Sequence, residues 1–438
     1  MISLNSFQHR RQRLLTKMVP SSAALIFATP LVTHSSYSEY LFRQNSNFWY
    51  FTGFNEPQAL LVLIKSDDTH NHSVLFNQAR NLTTEIWLGR RLGQDAAPEK
   101  LCVNRSLPWD DIAQQLHQLL NGLNVIYHAQ GEYMEADELV FTALDKLRRG
   151  SFQNLSAPAI LIDWRPWVYE MRLFKEPEEI ELLRHAGRIS ALAHTRAMET
   201  CRPGLFEYNL EGEIHYIFNR NGARFSSYNT IVGSGKNGCI LHYTDNKSEL
   251  QNGDLVLIDA GCQFHGYAGD VTRTFPVNGK FSAPQRAIYD IVLASLYKAL
   301  SLFRPGISIR QVNEEVVRVM VSGMLNIGIL FGEIEALIEE NAHCHFFMHS
   351  LSHWLGLDVH DVGHYGTPLR DRVLECGMVL TVEPGLYITE DADVPLEYRG
   401  IGIRIEDDIL ITATGNENLT DSVVKDADAI ESLMAAAR

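Results

Sequence analysis

No stretch of the 438-residue chain reaches the roughly 18 uninterrupted apolar residues of a membrane span. The opening MISLNSFQHRRQRLL also lacks the apolar centre of a secretory signal. Basic charge is scarce: 38 Lys and Arg face 53 Asp and Glu, for a net charge of −15, and no basic tract offsets it locally. The short runs Arg10-Arg11 and Arg148-Arg149 read as solvated helix surface, so nucleic acid is not an expected partner. The six cysteines (Cys102, Cys201, Cys239, Cys262, Cys344, Cys376) form no C-x-x-C pair, which argues for reduced thiols in a soluble cytoplasmic protein. Cys344 lies between His343 and His345, yet no nucleophile motif surrounds it.

What is present divides into two patterns, as the length alone suggests for a chain too long for one core. Up to about residue 170, apolar runs at 23–27, 59–64, 74–76 and 125–127 alternate with helix-like stretches at 111–120 and 137–147. This alternation predicts an α/β domain over 1–172, and no glycine loop there could cradle a phosphate. The segment Trp164-Arg165-Pro166-Trp167, followed by 171–180, reads as a hinge into a second domain, 173–438. Pro177 with acidic residues behind it starts a helix running to about Glu199; further helices are predicted from Glu207 to about Arg220 and from Pro284 to about Leu302. Strand-like segments lie between and after them, so this half is α+β, with helices covering a curved antiparallel sheet.

Five residues in those segments read as one metal site: Asp259, Asp270, His353, Glu383 and Glu406. Four carboxylates held together repel one another unless cations sit between them, and two divalent ions would balance their charge. Such a pair also permits a bridging hydroxide at neutral pH. Hard oxygen donors with a single imidazole favour manganese, magnesium or cobalt, manganese first, with zinc still possible. Asp259 ends the run Leu255-Val256-Leu257-Ile258, and Gly261 and Gly266 punctuate a hairpin-like return to Asp270. Period-two alternation in Ile403-Arg404-Ile405-Glu406 puts Arg404 and Glu406 on one face. His349 and His353 are four apart, which fits one face of a helix or, among these glycines, a loop.

The block from His349 to Asp361, HSLSHWLGLDVHD, together with Asn45-Ser46-Asn47-Phe48-Trp49-Tyr50-Phe51-Thr52-Gly53-Phe54 near the start, resembles the pita-bread metallopeptidases of the aminopeptidase P family, and the likeness runs over essentially the whole chain. Ser350 stands where glycine is commoner and Cys376 where proline is usual; neither is a ligand. The resemblance implies an Xaa-Pro aminopeptidase of the cytoplasm, two metal ions per subunit, and a homo-oligomer, often a tetramer. It assigns His242, His349 and His360 to the substrate, gives Arg404 an orienting or charge-balancing role, and makes Glu383 both ligand and proton carrier. An X-Pro bond has no amide N–H and needs a pocket for the pyrrolidine ring. Tyr387 and Trp87 are candidates for its wall, with a buried core residue as the other reading of Trp87. His343, His345 and His364 receive no role. The alternatives are a prolidase confined to Xaa-Pro dipeptides and a non-catalytic pita-bread binding module.

Overall fold

The computed structural model describes residues 1–367 and 370–437, in two compact units, Met1–Met171 and Arg172–Arg438. The first is built on a six-stranded mixed sheet in the order Arg105–Pro108, Asn71–Asn77, Leu60–Lys65, Ser22–Phe27, Val125–His128, Ile160–Ile162. Ser22–Phe27 and Leu60–Lys65 are buried along their whole length, which explains why they read as unbroken apolar runs rather than as alternation. Helices Ile112–Leu120 and Met134–Arg149 send Leu116, Leu120, Val140, Leu144 and Leu147 into the core against these strands.

One expectation fails here. Arg10 and Arg11 are buried, not solvated: on helix Leu4–Lys17 the Arg10 guanidinium donates to Tyr50 O and lies over the Tyr50 ring, while Arg11 donates to the carbonyls of Phe51, Leu101 and Cys102. A guanidinium reaching back to helix-end carbonyls satisfies acceptors that have no partner in their own helices, which a count of charges cannot reveal. The segment read as the link between domains contains the boundary between the two units, at Met171/Arg172. Trp164 is buried with its Nε1 donating to Leu25 O at 3.0 Å, and a helix, Arg165–Leu173, follows.

In the second unit every described strand pairing is antiparallel. Ile231–Ser234, Leu255–Asp259 and Thr272–Pro276 form one small sheet; Val379–Val382, Asp407–Ile411 and Asn416–Asn418 form another; Gly385–Ile388 pairs with Ile401–Arg404. A bridge between Thr272 and Glu406 ties the first to the chain entering the second. Helices Pro177–Thr200, Glu207–Arg220, Ala283–Leu302 and Ile309–Asn326 bury their apolar faces in one core with these strands. Pro177 occupies the first helical turn of its helix, where a missing N–H costs nothing. Ser282 and Gln285 cap the third helix reciprocally, as do Ser308 and Gln311 the fourth.

One close approach sets the floor of the site. His265 and Gly266, with φ of 48° and 92°, turn the chain between Cys262–Phe264 and Tyr267–Ala268. The return passes so near that a Cβ on Gly261 would lie 1.7 Å from Gly269 O. Only glycine permits that contact, and it brings Asp259 and Asp270 together.

Candidate metal centre

Asp259 is the last residue of its strand and lies opposite Thr272. Asp270 follows the tight return, its N–H donating to Asp408 at 3.0 Å. Both aspartates converge on the hydroxyl of Tyr228. That hydroxyl has one proton and so can serve only one carboxylate at a time.

Glu406 sits beyond the strand Ile401–Arg404, with Ile403 and Ile405 in the core behind it. Arg404 and Glu406 thus share the inward face. The Arg404 guanidinium reaches Asp259, Tyr387 and Thr272 Oγ1, and the Thr272 hydroxyl in turn donates a hydrogen bond to Glu406 Oε2 at 2.7 Å.

The block carrying His349 and His353 is a loop rather than a helix. His353 Nδ1 lies 3.1 Å from Trp354 O, so that nitrogen carries the proton and Nε2 is turned inward, 3.4 Å from both Asp270 and Glu383. Ligand atoms of Asp270, His353 and Glu406 all lie within 4.8 Å of one another, while Asp259 and Glu383 flank that trio through Tyr228 and His353.

The electrostatics fit cations. Burial and the neighbouring carboxylates push Glu406 well above the usual carboxylate range; Asp270 is raised chiefly by burial and then by Asp259. Glu383 is raised to about 7 by burial, against the pull of His353 and Arg404. Burial works against a charged His353, yet Asp270 and Glu383 lift it to about 9. Carboxylates that disfavour one another's charge in this way are stabilised by divalent cations, and the donor set of oxygens and one imidazole suits such ions.

The centre lies in a cleft of about 1070 Å³ whose lining includes His242, His349, Val359, His360 and Tyr365. The rings of His353 and His360 are 4.2 Å apart, and burial followed by His353 lowers the pKa of His360. His349 has both nitrogens engaged, Nε2 with Tyr387 Oη at 2.8 Å and Nδ1 with Ser350 O at 2.9 Å, and burial holds it neutral with a pKa of about 4. His242 is exposed on the loop after Ile231–Ser234. Glu207 anchors that loop by accepting hydrogen bonds from Ser234, Asn237, Tyr243 and Ser248. Tyr387 is buried, bonded to both His349 and Arg404. Trp87 is not a core residue: it lies on helix Leu82–Leu88 of the first unit, 83% exposed.

Tyr228, Thr272, Asp408 and Glu207 were not anticipated. Their residue types are ordinary strand and helix constituents, and only their distant partners single them out. His343, expected to have no role, also lines the cleft, with Cys344 Sγ 3.6 Å from its Nε2.

These elements define a metallopeptidase, and the chain belongs to metallopeptidase family M24, whose model matches residues 181–413. Residues 7–127 match the aminopeptidase P N-terminal domain. The chain is 71% identical to the Xaa-Pro aminopeptidase of Escherichia coli (strain K12), covering 100% of this chain and 99% of the relative. It is 33% identical to the Xaa-Pro dipeptidase of Homo sapiens, over 90% of this chain and 85% of the relative. A solved structure of zinc-substituted E. coli aminopeptidase P in complex with product superposes with a TM-score of 0.99 at 71% identity, covering 100% of this chain and 99% of that one.

Proposed function

We propose that the chain is an Xaa-Pro aminopeptidase, removing the first residue from peptides with proline second. The observation that carries this reading is the cluster of Asp270, His353 and Glu406, flanked by Asp259 and Glu383, in a cleft also lined by His242, His349 and His360. The five ligand candidates would hold two divalent ions, manganese first, which when bound supply Lewis acidity and an easily ionised water.

The protein's own groups do the rest. His242 and His360 border the cleft and donate to the carbonyl oxygen of the scissile bond and to the departing proline nitrogen. His349, whose ring nitrogens are both engaged, holds Tyr387 in place, and Tyr387 with Asp259 fixes Arg404. Glu383 carries the proton on its carboxylate from the attacking water toward the leaving nitrogen. Arg404 balances charge against Asp259 at the floor of the site.

The reading extends to a homo-oligomer, a tetramer by family resemblance, checked by light scattering, and to the cytoplasm, in keeping with six free cysteines and checked by fractionation. The decisive assay compares an Xaa-Pro-Xaa tripeptide, its Xaa-Ala-Xaa analogue and an Xaa-Pro dipeptide, with chelation and metal add-back. Cleavage of the proline tripeptide after its first residue, loss on chelation and best recovery with manganese are expected. Comparable kcat/KM for the alanine analogue points to a general aminopeptidase, and cleavage of the dipeptide alone to a prolidase.

A further inference from the structure

His353 and His360 lie on one loop, and a buried ionic clamp closes it. Asp361 donates its N–H to Trp354 O at 2.8 Å, so residues 354–361 form a ring with the two histidines at its neck. The Asp361 carboxylate, which is not among the residues lining the cleft, is held by Arg172 and by Lys175 Nζ, the latter at 3.0 Å. Arg172 also reaches Asp358 at 2.8 Å. The side chains of Arg172, Lys175 and Asp361 are 2%, 1% and 1% exposed. Gly356 makes room for them: a Cβ there would lie 2.1 Å from Asp361 Oδ2 and 3.0 Å from Lys175 Cε.

Backbone bonds hold only part of this loop. Thr381 N donates to His353 O at 3.0 Å and Leu355 N to Val379 O at 3.0 Å, which secures the metal-ligating end to a strand. At the other end His360 is followed directly by the clamped aspartate. Apolar packing could bury this turn but is not directional, whereas a carboxylate held through both oxygens by two cations fixes the orientation of the residue before it.

We propose that Arg172, Lys175 and Asp361 are positioning residues that aim the His360 ring at the reacting bond. The pair Arg172 and Lys175, in the segment that reads as a hinge, thereby serves the reaction from the start of the second unit. The proposal rests on the peptidase reading above.

The test is a double-mutant cycle on the full chain loaded with manganese. Asp361→Asn keeps shape but removes the charge, and kcat on an Xaa-Pro-Xaa tripeptide should fall about 10–100-fold, the usual cost of losing a group that orients a site residue. KM and metal content by elemental analysis should stay within about threefold of the parent protein. In a His360→Ala background the same Asp361→Asn change should cost less than twofold, because there is no ring left to aim. Arg172→Lys, which keeps the charge, should retain more activity than Arg172→Met. Thermal melting and circular dichroism of each variant confine the comparison to folded protein, with Lys175→Gln as the milder variant if Asp361→Asn does not fold. An active parent protein with unchanged kcat in the folded clamp variants overturns the clamp, as do costs that simply add in the cycle. A parent protein inactive on every proline peptide overturns the peptidase reading instead.

Discussion

The two units bury charge in opposite ways. In the first, Arg11 is surrounded by neutral acceptors, the carbonyls of Phe51, Leu101 and Cys102, and Lys65 Nζ donates to Met18 O at 2.9 Å. In the second, four carboxylates, Asp259, Asp270, Glu383 and Glu406, crowd around a single arginine and one imidazole. The first arrangement is complete by itself: each cation donates to carbonyls at helix ends or loops that lack backbone donors. The second is short of positive charge, and that shortage identifies it as a place for ions rather than as a structural knot. A third cluster beside it sharpens the contrast. Arg273 and Lys425 neutralise Asp407, and although Asp407 is the residue after Glu406 its pKa is held down, to about 2, by those two cations against the effect of burial.

The contrast can be broken at its strongest point by removing a ligand. Glu406→Ala or His353→Ala should lose both metal and peptidase activity, by more than the 10–100-fold typical of outer partners. Elemental analysis beside steady-state kinetics checks this, and full metal content in His353→Ala would show the centre to be elsewhere. Next, His242→Ala and His360→Ala should keep their metal while losing on the order of 2.7–4 kcal/mol of transition-state stabilisation. Loss of both ions in His360→Ala would move it into the ligand set.

On the other side of the comparison, Arg11→Met should leave kcat per folded molecule unchanged and cost roughly 3 kcal/mol in urea denaturation, since it strands buried carbonyls. The smallest effect concerns His194 in the second unit, fully buried with Nε2 2.9 Å from Ala260 O. Burial lowers its pKa from 6.5 to about 4. A histidine lowered in this way favours the folded state while neutral, so its contribution is complete above pH 6.5 and is lost as pH falls toward 4. Between pH 7.5 and 5.5 the loss should be about 1 kcal/mol. Denaturation at several pH values, compared with His194→Gln, checks it: the variant should lack that component of the pH dependence.

Much of the secondary structure was legible because it is written in short-range pattern. The helix expected over Glu207 to Arg220 is found at Glu207–Arg220, and the unbroken runs at 23–27 and 59–64 are buried strands. The alternation at 403–406 correctly separated the isoleucines in the core from Arg404 and Glu406 in the site. Charge misled where it had to be judged alone: Arg10-Arg11 and Arg148-Arg149 look alike in sequence, but the first pair is buried and the second exposed. Of the two readings of Trp87, a pocket wall or a buried core residue, its exposure removes the second.

What the sequence determined by itself was the chemistry on offer: hard oxygen donors with one imidazole, no thiolate pairs, and apolar runs able to carry the donors on strands. Only the tertiary structure decided which groups serve them. Tyr228 meets Asp259 and Asp270, Thr272 meets Glu406 134 positions away, and Lys175 meets Asp361 186 positions away. A hydrogen bond or ion pair acts over about 3 Å. Residues separated by more than a hundred positions carry no local mark of such a contact, and it exists only once the core has packed and Gly261 and Gly356 have let the backbone close in.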